Sequence, residues 1–317
     1  MARNKVEYFG ETLIDISDST ITRAMLPDGV VAYNAKGERM VGAATTAYAI
    51  LDANGILTFF RSPNAYQAGA GQTVVDIDGN SYTGEVFTGI ETLDAASDSA
   101  IPWYSKRNSI TQVKCVEGQT IKPISLAYWF YYCQNATSID LGSFDTSNVT
   151  TMARMFHTCA KVTHINVSSF DTSKVTTMYS MFPNLASLET LDLSSFDTSS
   201  VTTMAYMIHN CQKLKSVDVS SFDTSNVMSF YSMFNTGKSL TTLDLSSFDT
   251  SKANDMTMMF NDCNKLATIY AKDWYKSSQT VSSNNMFAGC TLLPGFSSSA
   301  VTWTKARVKP NGYFTQK

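Results

Sequence analysis

The sequence has 317 residues, of which 44% are hydrophobic and 12% aromatic, enough for a continuous core and far from the composition of disordered chains. Its 24 basic and 27 acidic residues give a formal net charge of -3, which argues against nucleic acid or an anionic membrane as a partner. The N-terminal residues are charged and no long apolar run follows, so we expect no secretory signal peptide and no membrane insertion.

Residues 1–45 are a short, non-repetitive region whose pattern favours β-structure. Residues 12–17 alternate apolar and polar side chains, which predicts a strand. Residues 18–20 offer a cap for a short helix that a proline ends, and strands over 30–33 and 39–41 are predicted to form a hairpin. A module of this size buries too little surface to be stable alone, so we expect it to anchor the protein to a larger assembly.

Residues 46–125 are predicted to form a β-rich lead-in domain. The segment 76–80, Asp-Ile-Asp-Gly-Asn, resembles part of a calcium-binding loop but lacks the glutamate such a loop carries at its twelfth position. A hairpin turn is therefore the favoured interpretation. The domain contains no histidine, so it offers no imidazole base for catalysis.

From residue 126 the chain is dominated by an internal repeat. The tetrapeptide Phe-Asp-Thr-Ser recurs with a constant step of 26 residues, and its phenylalanines are Phe144, Phe170, Phe196, Phe222 and Phe248. Units of constant length that bury their apolar faces only against their neighbours indicate a solenoid. We predict six to seven coils over residues 126–290, followed by a C-terminal cap over residues 291–317.

Each repeat divides into two halves with different periodicity. Residues 188–193, Leu-Glu-Thr-Leu-Asp-Leu, end in an apolar-polar alternation that predicts a short strand. In the second half, Val149, Met152, Met155 and Phe156 are spaced by three and four, which predicts a short helix with buried methionines. The expected fold class is therefore an α/β repeat solenoid, leucine-rich-repeat-like, with one parallel strand and one short helix per 26 residues.

The cysteines follow the repeat. Four of the six lie in one column of the alignment: Cys133, Cys159, Cys211 and Cys263. Leu185 and Gly237 fill the coils between them, so we expect the column to be buried. Residues two coils apart are separated by roughly 10 Å, beyond the ~7 Å limit between the Cα atoms of a disulfide. Only Cys133 and Cys159 are close enough to pair, and at least four of the six thiols are predicted to be free.

The repeat unit, Cys-x-x-Leu-x-x-Leu-Asp-Leu-Ser-Ser-Phe-Asp-Thr-Ser-x-Val-Thr-Thr-Met-x-x-Met-Phe, closely resembles the BspA-type leucine-rich repeat of bacterial surface proteins over about residues 125–290. The segment 47–60 and the pair Trp129-Phe130 look like the lead-in of the same family. The departures are local, such as Phe230 in place of methionine. The resemblance implies adhesion to host cells, matrix or other bacteria.

The N-terminal region resembles a different family. Gly-Glu-Thr-Leu-Ile-Asp at 10–15 and Ala-Tyr-Asn-Ala-Lys-Gly at 32–37 are similar to a short module at the start of tail and fibre proteins of bacteriophages that infect gut bacteria. This resemblance implies that residues 1–45 contact other virion proteins. Phage appendages are usually symmetric, so we expect a homo-oligomer, with a trimer favoured.

The sequence contains no motif that supports catalysis or metal binding. His157 and His209 share a column two coils apart, roughly 10 Å, too far to share one zinc ion without distortion. We predict that both, like His164, are exposed surface side chains. No serine-hydrolase, nucleotide-binding, zinc-protease or paired-cysteine motif occurs. We therefore expect a protein that is not an enzyme and that uses no cofactor or metal.

Two rows of acidic side chains repeat in phase, and like charges one coil apart need compensation. The mid-strand row consists of Asp140, Asn166, Asp192, Asp218 and Asp244. A solvated face and a ligand-binding strip are both open for this row. The second row consists of Asp145, Asp171, Asp197, Asp223 and Asp249. Asx turns, in which the carboxylate accepts backbone N–H groups, are the favoured explanation for it, with calcium between coils as the alternative.

Four large side chains occupy positions in the second half where the repeat requires no particular residue: Arg154, Tyr179, Tyr206 and Tyr231. Exposed tyrosines supply contact area at low entropic cost. Together with the mid-strand row they are the candidate ligand-binding residues, and ordinary surface variation is the alternative.

These patterns predict a non-enzymatic adhesive or display protein. The preferred form is a phage or prophage virion appendage (tail, fibre or head decoration), made in the host cytoplasm, that binds a cell-surface glycan or protein through the solenoid. A BspA-type adhesin on the bacterial cell surface and a purely structural virion protein are the alternatives. A glycan-degrading tail enzyme would require paired carboxylates in a deep cleft.

Overall fold

The computed structural model describes residues 45–271, 281–298 and 313–315, together with the backbone of four short strands before residue 45. The chain divides into two compact units. The first contains residues 1–91 and 114–121, and the second contains residues 92–113 and 122–317.

The first unit contains two antiparallel groups of strands. The first group is ordered β2-β1-β3-β4 and consists of β1 (Lys5–Tyr8), β2 (Glu11–Asp15), β3 (Val31–Tyr33) and β4 (Arg39–Val41). The predicted hairpin is confirmed, because β3 and β4 pair antiparallel with Ala32 opposite Met40. The predicted helix after residue 18 lies outside the described residues.

The second group is ordered β6-β5-β8-β7 and consists of β5 (Thr46–Leu51), β6 (Ile56–Ser62), β7 (Gly69–Val75) and β8 (Ser81–Phe87). A small core of Tyr48, Phe60, Val74 and Val86 packs on this sheet, with the rings of Tyr48 and Phe60 stacked at 5.6 Å. Residues 46–87 of the predicted β-rich lead-in (46–125) are thus strands and turns, whereas three short 3-10 helices follow between residues 90 and 106.

The segment after β7 is the hairpin turn that the sequence favoured over a calcium loop. The carboxylate of Asp76 is buried and accepts hydrogen bonds from the backbone N–H groups of Asp78 and Asn80. The Asn80 amide and the Tyr82 hydroxyl each donate a further bond to it, both at 3.0 Å. Asp76 therefore closes the turn between β7 and β8 through a fully internal network.

The second unit begins with turns that cover the first coil. Trp103 is fully buried, its indole N–H donates to the carbonyl of Trp129 at 2.7 Å, and the two rings meet edge to face at 5.3 Å. The strand β9 (Gln112–Cys115) then pairs in parallel with the first repeat strand. The large apolar area of the two tryptophans closes the end of the repeat core.

The repeat strands follow at intervals of 26 residues. They are β10 (Ser138–Asp140), β11 (His164–Asn166), β12 (Thr190–Asp192), β13 (Ser216–Asp218), β14 (Thr242–Leu245) and β15 (Thr268–Ala271). β10 pairs with β11, β12 with β13 and β14 with β15, always in parallel and with each residue opposite the one 26 positions later. The predicted stack of parallel strands is confirmed.

The second half of each repeat is not a helix, and this part of the prediction was wrong. Among the described residues, the repeats contain no α-helix or 3-10 helix. Alternate backbone N–H groups instead donate to the next coil: Arg154 to the carbonyl of Tyr179, Phe156 to that of Met181, and Thr158 to that of Pro183, at 2.9–3.0 Å. The chain is a β-solenoid of stacked coils.

The apolar spacing of three and four has a different origin from a helical period. The N–H groups of Met155 and Cys159 bond to carbonyls three residues earlier, so the segment is a series of tight turns. Two residues per coil adopt left-handed backbone angles, as Arg154 (φ 57°) and Thr158 (φ 62°) do. These turns place the apolar side chains inward at helix-like spacing, while every second N–H remains available to the neighbouring coil.

Buried side chains form ladders through the stack. Met152 and Met155 are fully buried, as predicted, and Phe156 stacks on Phe182 at 5.3 Å. The threonine of each Phe-Asp-Thr-Ser element is also buried. In the first four elements its hydroxyl donates to the aspartate carbonyl of the next coil, as Thr198 does to Asp223 at 2.8 Å. A polar ladder of this kind fixes the register between coils because a shift would leave buried groups unpaired.

All six cysteines are free thiols, in agreement with the prediction that at least four would be. The column of Cys133, Cys159, Cys211 and Cys263 is fully buried. Each of the last three Sγ atoms lies 3.0–3.1 Å from a phenylalanine carbonyl of an earlier coil. Burial raises the pKa of Cys133, Cys211 and Cys263 to about 12, so these thiols serve as small packing groups.

The threonine ladder predicts a specific cost for removing one hydroxyl. Thr198→Val keeps the shape of the side chain but leaves the carbonyl of Asp223 without its donor, so we expect a loss of roughly 1 to 2 kcal/mol in the free energy of unfolding. Thr202→Val in the same coil is the control, because that hydroxyl is exposed and donates a longer bond of 3.2 Å. Urea denaturation measures both, and equal losses would contradict the role of the buried ladder.

Candidate functional site

The mid-strand row lies on the strand half of each coil. Asp140, Asp192 and Asp218 are exposed, whereas Asn166 and Asp244 are half-buried. Their side-chain oxygens accept backbone N–H groups two residues later, as Asp192 does from Ser194 at 3.0 Å and Asp218 from Ser220 at 2.9 Å. The Asn166 amide also donates to Asp140 at 2.9 Å. Hydrogen bonds to nearby groups therefore hold these side chains in place, while part of each side chain remains exposed to solvent.

The second acidic row forms Asx turns, as predicted. Ser147, Ser173 and Ser199 donate their N–H groups to Asp145, Asp171 and Asp197 at 2.9–3.1 Å, and the next two coils repeat the bond. The hydrogen bonds from Ser173 lower the pKa of Asp171. Among the residues that the structure places, no cluster of three or more His, Cys, Asp and Glu side chains is arranged to hold a metal ion.

The turn half carries a continuous row of large side chains, the aromatic ladder, with one member per coil: Tyr128, Arg154, Tyr179, Tyr206 and Tyr231. The members alternate between two adjacent positions of the repeat. Where one position holds tyrosine or arginine, its neighbour is small, as in Ala153-Arg154 and Tyr179-Ser180. Each of these five coils therefore contributes one large group to the same strip of surface.

Direct contacts connect the ladder. Tyr206 lies 5.9 Å from Tyr179 and 5.0 Å from Tyr231 between ring centroids. The Arg154 guanidinium lies between the rings of Tyr179, at 5.2 Å, and Tyr128, at 5.5 Å, and donates to the Tyr128 hydroxyl at 2.6 Å. Aromatic and cation–π contacts of this kind each contribute about 0.5–1 kcal/mol, so the ladder is a defined surface.

Beside the ladder lies a groove of 340 Å³. Ladder residues form part of its lining, and four further lining residues share one repeat column, three residues after the position of Arg154: Tyr131, His157, Pro183 and His209. The lining residues are Tyr131, Arg154, His157, Tyr179, Ser180, Pro183, Asn184, Tyr206 and His209. The volume lies at the lower end of the range for small-molecule sites.

The two histidines of the groove are not exposed, which corrects the sequence-based prediction. His157 and His209 are half-buried, and only His164, on the strand half, is exposed. His157 stacks on Tyr132 at 5.5 Å and shares a hydrogen bond between Nδ1 and the Thr158 hydroxyl. Nδ1 of His209 is buried without a hydrogen-bond partner.

Burial keeps both imidazoles neutral. Burial, followed by the charges of Arg154 and His209, lowers the pKa of His157 from 6.5 to about 4. Burial also lowers the pKa of His209. Arg154 is therefore the only side chain of the groove lining that is charged at neutral pH.

The structure brings together three of the nine predicted ligand-binding residues in this groove: Arg154, Tyr179 and Tyr206. Tyr231 extends the same ladder by one coil. Asp192 and Asp218 instead line a separate depression of 430 Å³ on the strand half. Sequence reasoning missed Tyr128, Tyr131, His157 and His209, although their repeat register places them beside the residues it identified.

None of the described residues forms a helix that is long and apolar enough to cross a membrane.

Stacked 26-residue coils, parallel strands and turn halves without helices define a protein of the repeat-solenoid class. A family profile described as "Mycoplasma protein of unknown function, DUF285" matches residues 124–218 and 186–303, which together cover more than half of the chain. The chain belongs to this family. A comparison with curated proteins found no significant match.

Two solved structures are similar to the chain. A leucine-rich cell surface protein from Faecalibacterium prausnitzii is 14% identical, with a TM-score of 0.29, over 71% of this chain and 53% of that one. A leucine-rich repeat protein from Eubacterium ventriosum is 15% identical, with a TM-score of 0.22, over 85% of this chain and 98% of that one. The chain thus spans about half the length of the first protein.

The lowered pKa of His157 predicts a pH dependence of stability. The unfolded chain takes up a proton near pH 6.5 and the folded chain only near pH 4, so this contribution to stability is fully present above pH 6.5 and is lost as the pH falls toward about 4. His157→Gln should reduce the drop in melting temperature between about pH 7 and about pH 5. His164→Gln is the control and should leave the drop unchanged. An unchanged drop in His157→Gln would show that the buried imidazole does not contribute.

Proposed function

We propose that this protein is a non-enzymatic adhesive display protein whose solenoid binds a cell-surface ligand through the aromatic ladder and its groove. One observation carries the proposal. Tyrosine and arginine stand at ladder positions where other coils have Ala153, Ala205, Ser180 or Ser232, so stacking of the coils does not require them. Large amphipathic side chains that the fold does not need are typical of recognition surfaces.

The same chain supplies matched variants for a test of this role. Tyr179→Ala and Tyr206→Ser introduce residues that the repeat already uses at these positions, so the coils should still stack. We expect the double variant to bind a panel of bacterial and epithelial cells at least about tenfold more weakly than the wild type in flow cytometry, because its contact area is lost.

The control is Asp192→Asn combined with Asp218→Asn, which copies Asn166 of the mid-strand row. This variant should bind cells as the wild type does. Loss of binding only in the aspartate variant would move the site to the strand half. Wild-type protein that binds no cell type would favour a purely structural role.

Within this function we place the protein on a virion, with residues 1–45 as the anchoring module. The support is the similarity of residues 10–37 to the leading module of phage tail and fibre proteins. The repeat itself, similar to BspA-type adhesins, equally suits a bacterial cell surface. Other virion proteins, and further copies of this chain in a trimer, are the partners that the virion proposal requires.

Removal of residues 1–45 distinguishes the two locations. Because neighbouring coils supply most of the stability of a solenoid, the truncated protein should keep its cooperative melting transition. It should no longer sediment with particles in a density gradient of the producing culture, whereas the full-length chain should. Full-length protein that is found on cell envelopes and never on particles would favour the cell-surface adhesin.

A further inference from the structure

The groove beside the aromatic ladder contains one full charge without a matching opposite charge. None of the ion pairs seen among the described residues, such as Arg61–Glu91, Lys122–Asp145 and Lys215–Glu189, includes Arg154. No aspartate or glutamate belongs to the groove lining. The guanidinium is half-buried between two tyrosine rings, so it has lost part of its hydration and has gained only neutral partners.

Arg154 also keeps free hydrogen-bonding capacity. A guanidinium has five N–H donors. Nη1 donates to the hydroxyl of Tyr128, and the side chain of Tyr179 is a second hydrogen-bond partner, which leaves further donors for a ligand. The contacts with the rings of Tyr128 and Tyr179 restrain the guanidinium, which limits the entropy that its remaining donors lose on binding a planar anion. A carboxylate matches that geometry with two parallel hydrogen bonds.

The rest of the lining is neutral and suited to a ligand rich in hydroxyl groups. Ser180 and Asn184 provide short polar groups, and Nδ1 of His209 is a buried ring nitrogen without a partner. Tyr131, Tyr179 and Tyr206 add both ring surface and hydroxyl groups. A sugar ring presents the complementary combination, with apolar C–H faces for the tyrosines and hydroxyl groups for the polar atoms.

We propose that this groove binds a carboxylated sugar of a surface glycan, with Arg154 pairing the carboxylate and the tyrosines packing against the ring. The proposal rests on the adhesive function proposed above and names its ligand class. Charge balance favours a saccharide over an acidic peptide. The single cation of the groove, Arg154, can pair with one carboxylate. An acidic peptide would bring additional negative charges, and the groove lining contains no second cation to pair with them.

Binding of defined saccharides to the full-length protein tests the ligand class. The probes are sialyllactose and a trisaccharide that ends in glucuronic acid, with lactose and the methyl ester of the trisaccharide as their neutral counterparts. Tetraglutamate represents an acidic peptide. By isothermal titration calorimetry we expect at least one carboxylated probe to bind about tenfold or more tightly than its neutral counterpart.

Variants of Arg154 test the assigned contact. Arg154→Gln should weaken binding of the carboxylated probe by about tenfold or more, and Arg154→Lys, which keeps the charge but loses the paired geometry, should have an intermediate affinity. Arg107→Gln is the matched control, because Arg107 also stacks on a tyrosine, at 4.0 Å from the ring of Tyr104, and is not part of the groove lining. Melting curves of all three variants confirm that the coils remain folded.

Three results would overturn the proposal: no carboxylated probe binds, neutral and carboxylated probes bind equally, or Arg154→Gln binds as tightly as Arg107→Gln. Binding of tetraglutamate without binding of either saccharide would identify an acidic peptide as the ligand instead. The experiments also distinguish an incorrect ligand class from an incorrect adhesive function. If Tyr179→Ala/Tyr206→Ser loses cell binding while no saccharide binds, the adhesive role stands and only the ligand class is wrong.

Discussion

The backbone hydrogen bond between successive coils is the constraint on which the rest of the solenoid depends. In the turn half, the N–H groups of Arg154, Phe156 and Thr158 all find acceptors in the following coil. Since a buried N–H without a partner is costly, the conformation of each coil is dictated by its neighbour as much as by its own sequence. A single coil has no such partners and would not hold this shape.

The hydrogen bonds between coils require some residues to adopt left-handed backbone angles, which cost free energy. Tyr128, Arg154 and Tyr206 of the aromatic ladder all have φ near 60°. Such a backbone angle costs a non-glycine residue roughly 1–2 kcal/mol, which the bonds to the next coil offset. The same angles present these side chains on one strip of surface, so the conformation that joins the coils also builds the candidate binding surface.

The fixed step of 26 residues turns each repeat position into a column of contacts. Apolar columns become stacks, as for Phe156 and Phe182, and the threonine column becomes a chain of buried hydrogen bonds. Variation is therefore tolerated mainly where a column faces solvent. The aromatic ladder lies at half-buried positions of the turn half, where large and small residues replace one another between coils.

The sequence by itself determined the repeat, its parallel strands, the buried methionine and cysteine columns, and the Asx turns after each phenylalanine. These depend on which residues recur at one spacing, and an exact recurrence leaves one way of stacking them. It also identified Arg154, Tyr179 and Tyr206 as positions that the repeat does not explain.

Only the tertiary structure decided that the turn half is not helical, because apolar spacings of three and four arise equally from a helix and from tight turns that bond to the next coil. It alone decided that His157 and His209 are half-buried in the groove that Arg154 also lines. Their environment is made by side chains of neighbouring coils, 26 residues away in either direction, and no local pattern around a histidine records it.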